Sequence, residues 1–458
     1  MSKDAERSQI TMPHRHEGTG EGEQSPLLRA PRRRRRRRVG LFLSLALVAL
    51  AVIVVLTGLL MHFGSSGPLA PGEQTVVPAT TPGPFVRSPY DALQMSALMH
   101  LVDGMTYREL ANLYVAHMTL AEKLGQLIMT ESEQNNYSDD LDYMITQLHV
   151  GGMIMYESHL QTAGQARATT SQAQKRATIP LLTSVDEEGG LYVNRLEHIY
   201  GARPGPWEIY QSGSLSFDQQ QGVKMSHDLL SIGLNTDLAP DVDVMIVPGI
   251  DTADRTFGTT AASVIKYAGP YIVAMQSHGL IACIKHYPGG LGNTPYDAHD
   301  ILPTDSRSRA QIYATELAPY QTLINAPNPL MRPAMIMSTD VLMPAIDPVM
   351  PAELSHKFMT DILRNEFGYD GVVLTDALYM GGISARWSEP EAAVLAIQAG
   401  NDMILSPMGS ARTAAVIEAL RKALQDGRIS MTRVNEAVAR IIALKMQYHL
   451  IPVTLPRD

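Results

Sequence analysis

The chain has 458 residues, of which 45% are hydrophobic and 18% charged, a globular balance with room for one large barrel plus appendages. Its net charge of −9 is uneven, because residues 1–38 carry 11 Lys/Arg against 5 Asp/Glu while the remainder carries 26 against 41. An acidic body argues against nucleic-acid binding, which needs a basic face, and the single cysteine, Cys283, leaves no intrachain disulfide and argues against a thiolate zinc site.

Residues 1–38 read as a disordered basic tail ending in an arginine run, Arg32 to Arg38. A nucleic-acid patch is one reading of such a run. Residues 39–63 (VGLFLSLALVALAVIVVLTGLLMHF) oppose it, since they contain no Asp, Glu, Lys or Arg. As a helix this stretch is about 37 Å long, enough to cross a ~30 Å hydrocarbon core with some tilt. The arginines would then keep the N-terminus in the cytoplasm. A cleavable signal peptide has a shorter apolar region of about 7–15 residues, and no cysteine follows to carry a lipid. The expectation is an uncleaved single-pass anchor in the cell membrane with the rest outside the cytoplasm. Residues 64–94, rich in Gly, Ser, Pro and Thr, read as a linker.

The folded body is expected over 95–458. Thr119 and Glu122 form a capping-box pattern opening a helix, TLAEKLGQLIM. Apolar runs then recur at 125–130, 151–156, 180–186, 234–240, 281–286, 334–339, 371–376 and 402–407. Helical patterns separate most of them, as at 159–176, 261–277, 309–324, 354–367 and 389–399. Continuous apolar strands alternating with helices imply a parallel sheet buried on both faces. Eight of them predict an α/β fold of the TIM type, a (β/α)₈ barrel forming a single catalytic domain. An open doubly wound sheet is the alternative, weakened because no Gly-x-Gly-x-x-Gly follows the first run. Two helices close the chain, the first over 413–425. In the second, Val434, Val438, Ile441 and Ile442 form an apolar stripe with Lys445 at its edge.

Several runs end in polar residues: Asp186, Asp237 (leading to Asp241 and Asp243), Lys285-His286 and Asp376. In a barrel these ends converge on one face, where sites are found. Each alone has a plain structural explanation, such as a helix N-cap for an Asp. Beyond His286, a Pro-Gly-Gly loop carries Asp297 and His299, two residues apart. A carboxylate beside an imidazole fixes its tautomer and raises its basicity, so that the pair can move a proton near neutral pH. An Asx-turn with an exposed histidine has the same spacing. A metal could in principle use His286, Asp297, His299 and Asp376, but no His-x-His or His-Glu-x-x-His spacing supports one, so no metal or other cofactor is expected. Cys283 lies inside an apolar run and reads as a packing residue.

The motifs MTLAEKLGQLIM (118–129), SVDEEGG (184–190), GLNTDLAPDVDV (233–244), DRTFG (254–258), KHYPGG…DAH (285–299), ELAPYQTLI (316–324), GVVLTDALYM (371–380) and ISMTRVNEAVARIIALK (429–445) stand in an informative order. Together they resemble the barrel of glycoside hydrolase family 3, in its NagZ-type β-N-acetylglucosaminidase branch. The resemblance implies a retaining hydrolase in which Asp376 is the nucleophile that forms a glycosyl-enzyme. It makes His299 the acid/base, oriented by Asp297 on a loop that closes over the substrate. Asp186, Arg255, Lys285 and His286 would bind the sugar hydroxyls and acetamide. The implied substrate is a terminal β-linked N-acetylglucosamine on cell-wall fragments or chitin-like oligosaccharides.

This chain departs from the family pattern in three places. Gly290 stands where members often have a second His, in a loop one residue longer. Ala377 follows Asp376 in place of a second Asp, and Asp340 stands in place of a His. β-Glucosidase-type members carry a second domain that supplies a carboxylic acid, and none is expected after the barrel here. Alternative readings are a β-glucosidase-type specificity, a phosphorylase, since an imidazole acid/base avoids carboxylate repulsion of phosphate, and a non-catalytic sugar-binding barrel.

Overall fold

A strand falls on each of the eight apolar runs, to within one residue. In the computed structural model, which describes residues 106–249 and 253–452, these are β1 (Ile128–Glu131), β2 (Gly152–Met155), β3 (Leu182–Val185), β4 (Thr236–Asp237), β5 (Ile281–Tyr287), β6 (Met335–Ser338), β7 (Val372–Ala377) and β8 (Met403–Met408). They pair in parallel in chain order, and β8 returns to β1 with Ile128 opposite Ile404, closing the barrel. An open sheet is thereby ruled out. The runs are continuously apolar because the barrel interior covers one face and helices cover the other. In β7, Val372, Val373 and Leu374 are all buried, each contributing roughly 1.5–3 kcal/mol by burial.

The described residues all belong to the unit Thr80–Asp458. The basic tail, the apolar segment 39–63 and the linker 64–94 fall outside the described residues. Among those described, no helix is long and apolar enough to cross a membrane.

Helix boundaries depart from expectation where local chemistry intervenes. The pattern at 309–324 is two helices, Arg309–Thr315 and Leu317–Ile324. Pro319 has no N–H to give the preceding turn and crowds its carbonyl, so the helix breaks. Glu316, between the two helices, accepts the Gly290 N–H on its carboxylate at 3.0 Å and pairs with Arg307. The helix expected from 159 starts instead at Ala163, because the Thr162 hydroxyl caps it at Gln165 N–H. The pattern at 354–367 is a wide-turn helix, Lys357–Glu366, whose end is marked by a bond from Phe367 N–H to the Ile362 carbonyl. The helix expected from 413 begins four residues earlier, as Gly409–Gln425.

A helix the patterning did not reveal, Tyr107–His117, opens the described chain with its own capping box of Thr106 and Glu109. It packs on the last helix, Met431–Gln447. Lys445 of that helix is fully buried and not at a solvent edge. Its ammonium donates to Gln126 Oε1 at 2.7 Å and to the Gly151 carbonyl at 2.8 Å, at the N-terminal ends of β1 and β2. Burial without a carboxylate partner pushes its pKa well below the usual lysine range. The helix is thus tied to the closed end of the barrel, away from the strand ends that bear the site.

Candidate active site

The C-terminal ends of the strands surround a cavity of about 150 Å³. Six of the seven residues singled out in the sequence line it: Asp186, Arg255, Lys285, His286, His299 and Asp376. The seventh, Asp297, sits behind His299.

Asp376 is the penultimate residue of β7 and is partly exposed at the cavity wall. Its Oδ1 accepts the Ala377 N–H at 2.8 Å and its Oδ2 accepts the Thr339 hydroxyl at 3.1 Å. Burial pushes its pKa above the usual aspartate range, and the Ala377 N–H together with the charges of His299 and Lys285 limits the rise. The carboxylate is therefore poorly solvated, beside a backbone donor and cations that favour its ionised form, the form a carboxylate nucleophile needs. Glu353 lies behind it and accepts the Asp376 N–H at 3.3 Å. Burial, with Asp340 and Asp376 nearby, raises the Glu353 pKa strongly, so this carboxyl stays protonated and adds no repulsive charge.

His299 and Asp297 lie on the loop after β5. The Asp297 Oδ1 accepts both the His299 backbone N–H at 2.8 Å and its ring Nδ1 at 2.7 Å. The first bond is the Asx-turn and the second is the carboxylate–imidazole pair, so the two readings of this spacing hold together. Burial acts to raise the Asp297 pKa, but the two bonds from His299 outweigh it and leave the group below its usual range. With Nδ1–H so engaged, Nε2 is the atom left to exchange a proton with a substrate.

The opposite wall is an ionic cluster. Lys285, on β5, is 1% exposed. It pairs with Asp186, just past β3, and with Glu188 at 2.6 Å. Arg255 makes a two-pronged contact to the same Glu188, with Nε and Nη2 each 2.8 Å from a carboxylate oxygen. Burial alone would raise the Glu188 pKa, but Arg255 and Lys285 hold it well below the usual range. Removing one partner of such a buried cluster costs about 3–5 kcal/mol, because the others are left uncompensated.

His286 lies between Arg255 and a buried carboxylate. Arg255 Nη2 is 3.3 Å from its Nε2, and its Nδ1 is 2.8 Å from Asp243 Oδ2. A guanidinium can only donate, so Nε2 accepts and Nδ1 carries the proton toward Asp243. Burial and the charges of Arg255 and Lys285 keep this imidazole neutral, with its pKa well below the usual range. Asp241, Asp243 and His286 could offer three metal-ligating atoms within 4.8 Å of one another. Both nitrogens of the His286 ring are already engaged, so the arrangement reads as one that orients this ring.

Several site residues were not singled out from the sequence. Glu188 ties Lys285 to Arg255. Arg195 lines the cavity, 3.7 Å from Asp186 and with its guanidinium 5.8 Å from the centre of the Tyr156 ring. Tyr156 and Tyr379 also line it, and such rings suit the apolar faces of a sugar. A run of three acids after a strand, Asp186-Glu187-Glu188, was the available signal, since buried acids demand cations. Asp237 is fully buried and accepts the Glu187 N–H at 3.1 Å, a structural role. Cys283 is buried in β5 and its thiol is pushed well above the usual range, consistent with packing alone.

Residues 119–444 match the model of the glycosyl hydrolase family 3 N-terminal domain. A beta-hexosaminidase of Alkalilimnicola ehrlichii is 32% identical over 290 residues, covering 62% of this chain and 80% of that protein. Beta-hexosaminidase A of Pseudoalteromonas piscicida is 28% identical over 377 residues, covering 72% of this chain and 61% of that protein. Among solved structures, a family 3 beta-N-acetylglucosaminidase from Paenibacillus sp. str. FPU-7 superposes with a TM-score of 0.69 at 34% identity, covering 74% of this chain and 65% of the other. The chain thus spans less than two thirds of the length of some of these relatives. The chain belongs to glycosyl hydrolase family 3, and its barrel is that family's N-terminal domain.

Proposed function

We propose that the barrel is a retaining β-N-acetylglucosaminidase that removes terminal β-linked N-acetylglucosamine from cell-wall fragments or chitin-like oligosaccharides. One observation carries this reading: a β7-terminal carboxylate and a carboxylate-oriented imidazole on the loop after β5 line the same small cavity. In the first step the Asp376 carboxylate attacks the anomeric carbon while His299 protonates the departing oxygen. In the second, His299 takes a proton from water, which attacks the same carbon and releases Asp376. Asp186, Arg255, Lys285 and His286, with Arg195, hold the ring hydroxyls and acetamide. Similarity to the beta-N-acetylglucosaminidase of Paenibacillus sp. str. FPU-7 favours N-acetylglucosamine over glucose.

A panel of chromogenic β-glycosides tests this, run with and without millimolar phosphate. Turnover is expected on the N-acetylglucosaminide far above the glucoside, releasing free sugar at a rate that phosphate does not change. A sugar 1-phosphate product would replace hydrolysis by phosphorolysis, and preference for the glucoside would remove the hexosaminidase assignment.

Arg32 to Arg38 followed by the uncharged stretch 39–63 supports a cell-membrane anchor, with the barrel on the extracytoplasmic side. Activity is then expected in the membrane fraction of the producing cell, and protease added to intact spheroplasts should destroy it. Full activity in the soluble fraction would refute the anchor.

A further inference from the structure

An acid/base carried on a long loop has to be held in register with a nucleophile carried on a different strand. The loop after β5 and the turn after β7 meet closely, through three kinds of contact. Leu291 and Ala298 of the loop form a small buried apolar cluster with Ala377 and Met380 of the turn, separate from the main core. The Gly381 N–H donates to the His299 carbonyl at 2.8 Å. The third contact is the closeness of the two backbones. A Cβ added to Gly381 would lie 2.4 Å from the Asp300 carbonyl oxygen and 2.7 Å from that of His299. One added to the adjacent Gly382 would lie 2.0 Å from Asp340 Oδ2 and 3.1 Å from Leu302 Cα. Neither glycine has a left-handed φ, so space and not backbone freedom is what requires them.

The far side of the loop is held as well. The Gly292 carbonyl accepts the N–H groups of Ile246 and Val247 at 2.7 and 2.9 Å, and a Cβ there would lie 2.0 Å from the Val244 carbonyl. The His299 loop is therefore wedged between the segment after β4 and the turn after β7. The imidazole itself stays outside the wedge, with its side chain 66% exposed. Its backbone is packed on both sides, while its ring, bonded at Nδ1 to Asp297, leaves Nε2 for a substrate.

We propose that Gly381 is a positioning residue for the acid/base: it lets residues 299–300 approach the turn after β7 and so sets the height of the His299 ring over the Asp376 carboxylate. A side chain at 381 meets loop backbone, which cannot swing aside as a flexible side-chain tip can, so the loop must lift. The bonds that hold Asp376 come from Ala377 and Thr339, and the sugar-binding cluster lies on β3, β5 and the loop carrying Arg255, so none of these need move. The proposal rests on the reading of His299 as acid/base.

The test uses the full-length chain and the variants Gly381→Ala, His299→Ala and the double variant. Each is assayed on dinitrophenyl N-acetyl-β-glucosaminide, whose leaving group needs no proton, and on diacetylchitobiose, whose leaving group does. A displacement of about 1 Å at a reacting group can cost roughly 10²-fold. Gly381→Ala is expected to lose kcat/KM on diacetylchitobiose by about 10- to 100-fold with KM for that substrate nearly unchanged, and to keep kcat/KM within a few-fold on the dinitrophenyl glycoside. The double variant should be no worse than His299→Ala, as for two groups acting through one function. Equal losses on both substrates, or losses that multiply in the double variant, overturn the proposal. If His299→Ala itself shows no leaving-group selectivity, the acid/base reading fails instead. Should Gly381→Ala not fold by circular dichroism, Met380→Ala empties the small apolar cluster without adding atoms. It is expected to show the same selective loss, and an unselective one again overturns the idea.

Discussion

Asp376→Asn is expected to reduce turnover of an aryl N-acetyl-β-glucosaminide by at least about 10⁴-fold, roughly 5 kcal/mol of barrier, while leaving the fold intact. The fold should survive because the amide replaces every contact. Its Oδ1 still accepts the Ala377 N–H, its NH₂ can donate to the Thr339 hydroxyl in place of the present bond, and the bond from the Asp376 N–H to Glu353 involves only backbone on the Asp376 side. The sign of the stability change also follows. Burial raises the Asp376 pKa, so the ionised group is worse off in the folded protein than in the unfolded chain at neutral pH. Removing the charge is therefore expected to keep or raise the melting temperature. Chemistry, in contrast, needs the lone pair of an ionised carboxylate, and an amide does not supply it. The same shift gives the acid limb of the wild-type pH profile. Activity should fall as pH drops through a pKa above the ordinary aspartate range, because the protonated group cannot attack. Near-normal turnover in Asp376→Asn, with melting temperature retained, would refute the proposed nucleophile.

The strands were legible because a parallel barrel buries both faces of every strand, leaving uninterrupted apolar runs such as 371–374 and 281–284. Strand ends were legible for the same reason: polarity returns abruptly at Asp186, Lys285 and Asp376. Partnerships across the barrel were not. Glu188 meets Arg255 and Lys285 only because β3, β5 and the loop carrying Arg255 converge, and the acidic run 186–188 does not by itself say which cations it meets. Lys445 misled in the other direction, since a lysine beside an apolar stripe ordinarily reaches water. Here Gln126 and the Gly151 carbonyl, both more than 290 residues away, supply its oxygens. Gly290 adopts a φ of 104°, a backbone conformation that a residue with a Cβ rarely adopts. Asp340 lies beneath Gly382, within the close contact between turn and loop.

His299→Ala separates the two proton transfers of the proposed mechanism. General acid catalysis is worth about 10²–10⁴-fold, and the loss should fall in that range on a saccharide leaving group. On a dinitrophenyl glycoside the first step needs no acid, so the glycosyl-enzyme should form at a near-normal rate. The second step still lacks its base, and the adduct on Asp376 should accumulate and be visible by intact-protein mass. Azide needs no deprotonation to attack and should restore turnover by giving the glycosyl azide. Asp297→Asn is expected to fall between this variant and the wild type. An Asn Oδ1 can still accept both the His299 N–H and its Nδ1–H, so the ring keeps its tautomer. The anion that stabilises the imidazolium is lost, and with it the basicity that water activation requires. The azide experiment therefore ranks the three proteins by one property, the ability of the ring at 299 to take a proton. If azide rescues neither variant, or no adduct accumulates in His299→Ala, the ring at 299 is not the acid/base, whatever the contacts of its loop.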